Sequence, residues 1–387
     1  MSLEIVGLLL LVAALVGIVA KRLHLPYSIG LIVAGIALSF WPRLAGIGLS
    51  RQLLFTVLLP PLIFEAALYI HWPELKKDLW VVVALSTIGV FLSAAVTVAG
   101  LHYVASWQWS SALLFGILIA ATDPVSVIAT FKETKKCGRL RFLVEAESLF
   151  NDGTAAVAFA VGLAFIAGDS MGPLKVGLLL IETIGGAVLC GGIVATLVLF
   201  LAGRTDDHLV EITLTTLSAY GSFLLADRLG FSGVLATLVA GIIVGNLGPG
   251  RAISNKGRLA VESFWEYAAF VATSFVFLLL GITETRHSFA GLVPTALWAI
   301  GLVLAGRAAA VYLTLLLFSS APSRVSLQHQ HILFWGGLRG ALALALALSL
   351  PLETPRRAEI VAVSFAVVAF SAFVQGLTVI PMVRRAD

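Results

Sequence analysis

The chain has 387 residues, of which 59% are hydrophobic and 12% are charged, and its mean hydropathy is +1.03. Soluble domains carry about 25% charged residues, so this composition excludes a soluble fold and indicates a membrane protein. The net charge of +4 does not indicate a nucleic-acid partner, because the basic residues lie in short loops between apolar runs.

We predict an all-α polytopic membrane protein with thirteen transmembrane helices, which together form one domain over residues 1–387. Each apolar run is near the length of about 20 residues that crosses the hydrocarbon as a helix. The predicted helices cover approximately residues 3–20, 25–41, 51–71, 79–103, 110–130, 142–168, 173–202, 208–228, 231–247, 259–283, 289–318, 328–350 and 357–383.

The distribution of lysine and arginine predicts the orientation of these helices. If the N-terminus lies outside, most of the 25 basic residues fall in cytoplasmic loops and the C-terminus is cytoplasmic. Basic residues are enriched in the cytoplasmic loops of membrane proteins. We therefore expect a multi-pass protein of the cell (inner or plasma) membrane with its N-terminus outside and its C-terminus inside.

Thirteen helices also permit an internal symmetry of two inverted six-helix repeats joined by a linker helix. The fifth and twelfth predicted helices occupy corresponding positions and carry helix breakers, Thr122-Asp123-Pro124 and Gly336-Gly337-Leu338-Arg339-Gly340. Proline removes a backbone donor and clashes with the preceding turn, and paired glycines weaken a helix. The pattern predicts two broken helices that cross near the bilayer midplane, where transporters place their binding sites.

The segment from Glu147 to Gly153 brings two carboxylates, a hydroxyl and an amide into an apolar run. In a helix, Glu147 lies one turn from Asn151, and Ser148 lies one turn from Asp152, so the four side chains share two adjacent faces. Ionisable groups inside a membrane helix cost several kcal/mol and by default mark an ion or proton path. The segment therefore predicts an ion-binding site.

The residue types around this segment suit a small hard cation such as Na⁺, which binds carboxylate, hydroxyl and carbonyl oxygens. Asp152, Ser148 and Asp123 supply such oxygens, together with carbonyls freed near Pro124. Because a carboxylate that holds Na⁺ cannot also hold H⁺, competition for Asp152 would couple the two ions. The candidate ion- and proton-binding residues are Asp152, Asp123, Thr122, Ser148, Asn151 and Glu65, and the candidate Na⁺ ligands among them are Asp152, Asp123 and Ser148.

Two arginines lie inside predicted helices and need partners, because an unpaired buried charge is very costly. We expect Arg307 of the eleventh helix to form a structural ion pair with Glu147. We expect Arg339, at the break in the twelfth helix, to neutralise the C-terminal dipole ends of the crossing helices.

Four segments resemble the NhaP and sodium/proton exchanger branch of the monovalent cation/proton antiporters. They are Pro60-Pro61-Leu62-Ile63-Phe64-Glu65, Ala121-Thr122-Asp123-Pro124-Val125, Glu147-Ser148-Leu149-Phe150-Asn151-Asp152-Gly153 and Gly336-Gly337-Leu338-Arg339-Gly340-Ala341. Their order and spacing match, and the resemblance covers essentially the whole chain. It implies the NhaA-like antiporter fold, a secondary antiporter and not an enzyme, and no cofactor beyond the transported Na⁺ and H⁺.

The same resemblance implies how the molecule is organised. Helices 1–3 and 7–10 would form a scaffold that makes a homodimer, and helices 4–6 and 11–13 would form a mobile core. Asp152 would be the essential ion- and proton-binding carboxylate, with ligation from the other candidate residues and Glu147 paired with Arg307. Asn151 before Asp152 resembles the branch that exchanges one Na⁺ for one H⁺ without net charge movement.

Beside a membrane sensor or assembly subunit without transport, two alternatives remain at this stage. The first is a K⁺/H⁺ antiporter of the same fold, because side-chain identity leaves Na⁺, Li⁺ and K⁺ unresolved. The second is a cation channel, which needs a continuous polar pore, whereas the polar residues here cluster at one depth.

Overall fold

The structure is a computed structural model that describes residues 3–23, 26–41, 49–123, 127–128, 131, 138–166, 172–284, 291–321 and 323–385. In this part of the chain, fourteen helices have defined bounds, and eight of them are long and apolar enough to cross a membrane; residues 127–128 and 131 are helical as well. The helices are α1 Leu3–Leu23, α2 Tyr27–Ser39, α3 Leu53–Leu68, α4 Trp72–Ala105, α5 Trp109–Leu118, α6 Arg139–Ile166, α7 Pro173–Ala202, α8 His208–Arg228, α9 Gly233–Leu247, α10 Asn255–Glu284, α11 Val293–Leu316, α12 Leu327–Trp335, α13 Ala341–Ser349 and α14 Arg357–Arg385.

The prediction of an all-helical polytopic membrane protein is confirmed, and the element boundaries differ in places. The predicted break in the twelfth helix is confirmed, because its residues form two helices, α12 and α13, separated by residues 336–340. Helix α4 begins seven residues before its predicted start, at Trp72, because Pro73 in its first turn suits a helix N-terminus. Thirteen membrane crossings and the inverted repeat stay predictions.

Side-chain caps define where several helices begin. Asp207 accepts a hydrogen bond from Leu209 N at the start of α8, and Ser232 accepts one from Leu235 N at the start of α9. Such caps satisfy backbone donors that have no partner inside the helix. These two helices therefore begin at the residues where polar caps interrupt the apolar sequence.

Both predicted helix breaks bring unwound backbone into the interior. Helix α5 ends at Leu118 and residues 121–123 are non-helical, and Pro124 of the predicted break lies outside the described residues. The backbone N–H of Asp123 donates to the carbonyl oxygen of Leu338 at 2.7 Å. The two unwound segments therefore contact each other directly.

Glycines let several helix pairs pack backbone against backbone. A Cβ on Gly35 of α2 would overlap Leu278 O of α10, and one on Gly281 of α10 would overlap Ile32 O. A Cβ on Gly245 of α9 would likewise overlap Leu68 O at the end of α3. Small residues allow such close approach between membrane helices. The pairs α2–α10 and α3–α9 consequently have little freedom to slide.

Arg139, at one end of the bundle, connects the start of α6 to two other parts of the chain. Arg139, the first residue of α6, donates from Nη2 to Asp78 Oδ1 of α4 at 2.7 Å and from Nε to both Asp78 oxygens. It also donates to the carbonyl oxygens of Ser323 and Arg324, which precede α12. Arginine suits this role because its planar guanidinium carries five donors.

Candidate functional site

Helix α6 presents two neighbouring faces to different surroundings. Ser148 and Asp152 line a cavity of about 320 Å³, whereas Glu147 and Asn151 lie on the adjacent face, toward Arg307. Each pair is separated by four residues, which places its members one helical turn apart. The structure thus divides the predicted cluster into a cavity-lining pair and an ion-pairing pair.

The cavity extends from the unwound segment of the first break to the surface of the bundle. Thr122 and Asp123 line its inner end with Asp152, and Glu65 of α3 lies on its wall. The exposed side chains of Tyr69 and Glu266 mark the outer part. Its remaining lining is largely apolar, from helices α3, α6, α10 and α13. A hydrated ion entering from the surface would therefore pass Glu145 and Glu266 before it reached the two aspartates at the inner end.

Hydrogen bonds between Thr122 and Ser148 connect the first break to α6. Ser148 Oγ donates to Thr122 O at 2.6 Å, and Thr122 Oγ1 donates to Ser148 Oγ at 3.2 Å. Both side chains are buried. The break frees carbonyl groups that a continuous helix would use internally, and Ser148 satisfies one of them.

Asp152 is half-buried, and one of its two carboxylate oxygens is a buried acceptor. Its Oδ1 atom is buried, and no hydrogen-bond donor contacts it in the part of the chain that the structure describes. The carboxylates of Asp123 and Glu147 are close enough to interact with it electrostatically. Buried polar atoms usually have a partner. A cation or a proton bound at Oδ1 would be such a partner for this oxygen.

Glu147 and Arg307 form a buried, two-pronged ion pair. Arg307 Nη1 lies 2.7 Å from Glu147 Oε1, and Nη2 lies 3.0 Å from Oε2. Asn151 Nδ2 donates to Glu147 Oε1 at 3.2 Å, and Arg307 Nη2 donates to Leu333 O of α12 at 2.9 Å. A bidentate pair with further hydrogen bonds offsets part of the cost of burying two charges. Glu147 is thereby held away from the cavity.

Arg339 contacts the end of the other broken helix. Its Nη1 donates to Ala120 O at 2.8 Å and to Ala121 O at 3.2 Å, just beyond α5. Carbonyl groups at a helix C-terminus carry partial negative charge, which a guanidinium stabilises. The side chain is 3% exposed and does not line the cavity.

The glycines of the second break make room for these charged side chains. A Cβ on Gly337 would overlap Arg307 Nε and lie 2.8 Å from Arg307 Cζ. A Cβ on Gly340 would overlap both Cβ and Oδ2 of Asp123. Gly337 and Gly340 were predicted only as helix breakers, but their lack of a side chain also leaves room for Arg307 and Asp123.

We expect Gly340→Ala to lower the free energy of unfolding by about 1–3 kcal/mol, because the added methyl group must displace Asp123. Thermal unfolding of the purified protein in detergent measures this change. Gly301→Ala on α11 is the matched control, since a Cβ there meets no atom within 4 Å among the described residues. Equal unfolding midpoints for the two variants would contradict the claim that Asp123 occupies the space beside Gly340.

Two features of the site lay outside the sequence predictions. Glu266 belongs to the cavity wall, although its sequence position near a membrane edge fits a solvated helix end equally well. Ser371 and Gln375 of α14 bond to the second break, and nothing in their sequence spacing distinguishes them from ordinary interhelical contacts.

Comparison with known proteins gives consistent matches. The family described as "Sodium/hydrogen exchanger, transmembrane" matches residues 9–385. The Na(+)/H(+) antiporter ApNhaP of Aphanothece halophytica is 38% identical over 94% of this chain and 70% of its own. The Na(+)/H(+) antiporter NhaH of Halobacillus aidingensis is 30% identical over 98% of this chain and 96% of its own.

A solved structure shares the fold. The sodium proton antiporter MjNhaP1 from Methanocaldococcus jannaschii superposes with a TM-score of 0.76 and 23% identity, and the match covers 98% of this chain and 95% of that chain. The family match over nearly the full length, the curated relatives and the shared fold agree: the chain belongs to the transmembrane sodium/hydrogen exchanger family.

Proposed function

We propose that this protein is a secondary active antiporter that exchanges Na⁺ for H⁺ by alternating access. The observation that carries the proposal is the buried Oδ1 of Asp152, which has no donor among the described residues and lies at the inner end of a cavity that Asp123 also lines. The antiporter activity named for the curated relatives supports the same conclusion.

In this proposal, Na⁺ and H⁺ compete for Asp152. Asp123, the hydroxyls of Thr122 and Ser148, and Glu65 provide direct or water-mediated oxygen ligands around it, all lining one cavity. A bound proton neutralises Asp152 and removes the charge that attracts Na⁺. A bound Na⁺ occupies the lone pairs that a proton needs, so the site carries one ion at a time.

The proposed exchange is electroneutral, with one Na⁺ for one H⁺. Glu147 is held by Arg307, so its charge is compensated by the fixed cation beside it. Asn151, which precedes Asp152, is a neutral amide bonded to Glu147. It cannot carry a second proton through the cycle, which leaves Asp152 as the proposed exchanging group.

We propose that α1–α3 and α7–α10 form the scaffold and that α4–α6 and α11–α14 form the mobile core. Backbone-to-backbone glycine contacts join α2 to α10 and α3 to α9 inside the proposed scaffold, and Arg139 joins parts of the proposed core. Across the boundary between α6 and α9, Gly153 faces the side chain of Leu235. Side-chain contacts rearrange more easily than interlocked backbones, which supports movement at this boundary.

The proposed orientation places the N-terminus outside, the C-terminus in the cytoplasm and the cavity open toward the cytoplasm. Arg141 and Glu145, near the start of α6, line the outer part of the cavity, and α6 follows a loop rich in lysine and arginine. We also propose a homodimer in the plasma membrane, assembled through the scaffold.

The decisive experiment is an ion-pulse assay on the purified protein in proteoliposomes. We expect Na⁺ or Li⁺ pulses to drive proton movement across the pH range, K⁺ pulses to drive little, and an imposed membrane voltage to leave the rate unchanged. A response to K⁺ alone would favour a K⁺/H⁺ antiporter. Single-channel currents would favour a channel, and a voltage-dependent steady state would contradict electroneutral exchange.

A further inference from the structure

The break between α12 and α13 leaves backbone groups that need partners outside their own helices. Helix α12 ends at Trp335 and α13 begins at Ala341, so the last carbonyls of one and the first amides of the other lose their helical hydrogen bonds. Unwound backbone at membrane depth is tolerated only where protein or a water-filled cavity satisfies these groups. Helix α14 supplies two such partners.

A continuous chain of hydrogen bonds runs from one side of the break to the other. Arg339 N donates to Ser371 Oγ at 2.8 Å, and Ser371 Oγ donates to Gln375 Oε1 at 2.8 Å. Gln375 Nε2 then donates to Trp335 O at 3.1 Å. Ser371 is 1% exposed and Gln375 is 3% exposed. We call these two side chains the α14 brace.

Serine and glutamine side chains can each donate one hydrogen bond and accept another, as the α14 brace requires. Ser371 uses its hydroxyl once as acceptor and once as donor, and Gln375 uses one amide atom for each role. The segment Ser371–Gln375 is also a π-helical turn within α14. Such turns are rare and frequently occur at functional sites.

The same short segment of the break contacts the ion site. Leu338 O accepts from Asp123 N at 2.7 Å, and Arg339 Nη1 donates to Ala120 O at 2.8 Å. Residues 338 and 339 therefore lie between the brace on one side and the first broken helix on the other. Because Leu338 O and Arg339 N belong to one planar peptide group, a displacement of Arg339 N also displaces the oxygen that accepts from Asp123 N.

We propose that Ser371 and Gln375 are positioning residues for cation binding, which act by holding the second break in the geometry that places Asp123 at the cavity. The proposal rests on the Na⁺/H⁺ exchange proposed above and assigns a role in it to the last helix. Neither residue lines the cavity, so the brace acts through the backbone and not as a ligand.

Kinetic measurements on Ser371→Ala and Gln375→Met in proteoliposomes test the proposal. We expect each variant to raise the apparent KM for Na⁺ about tenfold, because each leaves a buried backbone group without its partner. The maximal rate should fall less than the KM rises. The double variant should resemble the more affected single variant, since either substitution already interrupts the chain. Additive effects of the two substitutions would overturn the proposal.

Thr378→Val is the matched control on the same helix. Thr378 Oγ1 accepts from Trp335 Nε1 at 2.7 Å, so this variant removes a contact with the side chain of the same tryptophan and leaves the backbone of the break bonded. We expect its KM to equal that of the wild type. A KM change as large as that of Gln375→Met would show that general packing of α14 is responsible and would contradict a specific brace.

Amide hydrogen exchange provides a readout that does not depend on transport. Peptides covering residues 336–340 should exchange faster in Ser371→Ala and Gln375→Met than in the wild type or Thr378→Val. Ser371→Ala adds no volume and should fold, so hydrogen exchange can still be measured on this variant if Gln375→Met does not fold. A wild-type protein without Na⁺-driven proton movement would contradict the proposed function alone, whereas unchanged exchange at 336–340 in both variants would overturn the brace.

Discussion

Asp152→Asn is expected to reduce Na⁺-driven proton movement to the level of protein-free vesicles. The amide has nearly the same shape as the carboxylate, but it binds no proton in the working pH range and offers Na⁺ no full charge. Asp152 Oδ1 is buried and without a donor among the described residues, and the substitution removes the negative charge of the carboxylate, which the proposed exchange uses to bind either ion. The measurement is the ion-pulse assay in proteoliposomes.

The same variant should fold normally, because it removes the charge of a half-buried side chain and adds no volume. Na⁺ should raise the thermal unfolding midpoint of the wild type and leave that of Asp152→Asn unchanged, since a ligand stabilises only the protein that binds it. Asp227→Asn on α8 is the matched control, because Asp227 is exposed and does not line the cavity. Retained exchange in Asp152→Asn would remove the basis of the proposed mechanism.

A disulfide between positions 153 and 235 is expected to stop exchange reversibly. A Cβ placed on Gly153 of α6 lies 3.9 Å from Leu235 Cβ of α9, within the range of about 3.5–4.5 Å that disulfides require. Gly153→Cys with Leu235→Cys would therefore link the proposed core to the proposed scaffold. If the core must move against the scaffold, the oxidised protein cannot carry its site across the membrane.

The matched control places the disulfide inside the proposed core. A Cβ on Gly89 of α4 lies 3.6 Å from Ala310 Cβ of α11, so Gly89→Cys with Ala310→Cys offers similar geometry. Both pairs are made after the natural cysteines, Cys137 and Cys190, are replaced by alanine. We expect exchange to stop only in the first oxidised pair and to return on reduction. Full activity of an oxidised 153–235 protein would contradict alternating access at this boundary.

Local spacing predicted the contacts that depend on one helix alone. Four residues separate Glu147 from Asn151, and the structure places a hydrogen bond of 3.2 Å between them. The spacing also predicted that Ser148 and Asp152 share a face, and both line the cavity. These relations follow from the helical period, which holds wherever the segment forms a helix.

The contacts between distant segments could not be read from spacing. Ser148 meets Thr122 across 26 positions, and Glu147 meets Arg307 across 160. The ion pair was proposed from the cost of an isolated buried charge, which requires a partner but does not say which one. Only the packed helices determine which of the available groups is near enough.

The amino-acid sequence by itself determined that this chain lies in a membrane, where its helices break and which segment carries the charged site. Apolar runs, helix breakers and buried carboxylates have local physical consequences, so they can be recognised without a fold. The tertiary structure alone decided that α6 turns one face to a cavity and the other to Arg307. It also decided that Gly340 leaves room for the side chain of Asp123, and that Ser371 of the last helix hydrogen-bonds to the backbone of the second break. Each of these contacts joins segments that are remote in the sequence. Such contacts form only when the helices have packed against one another.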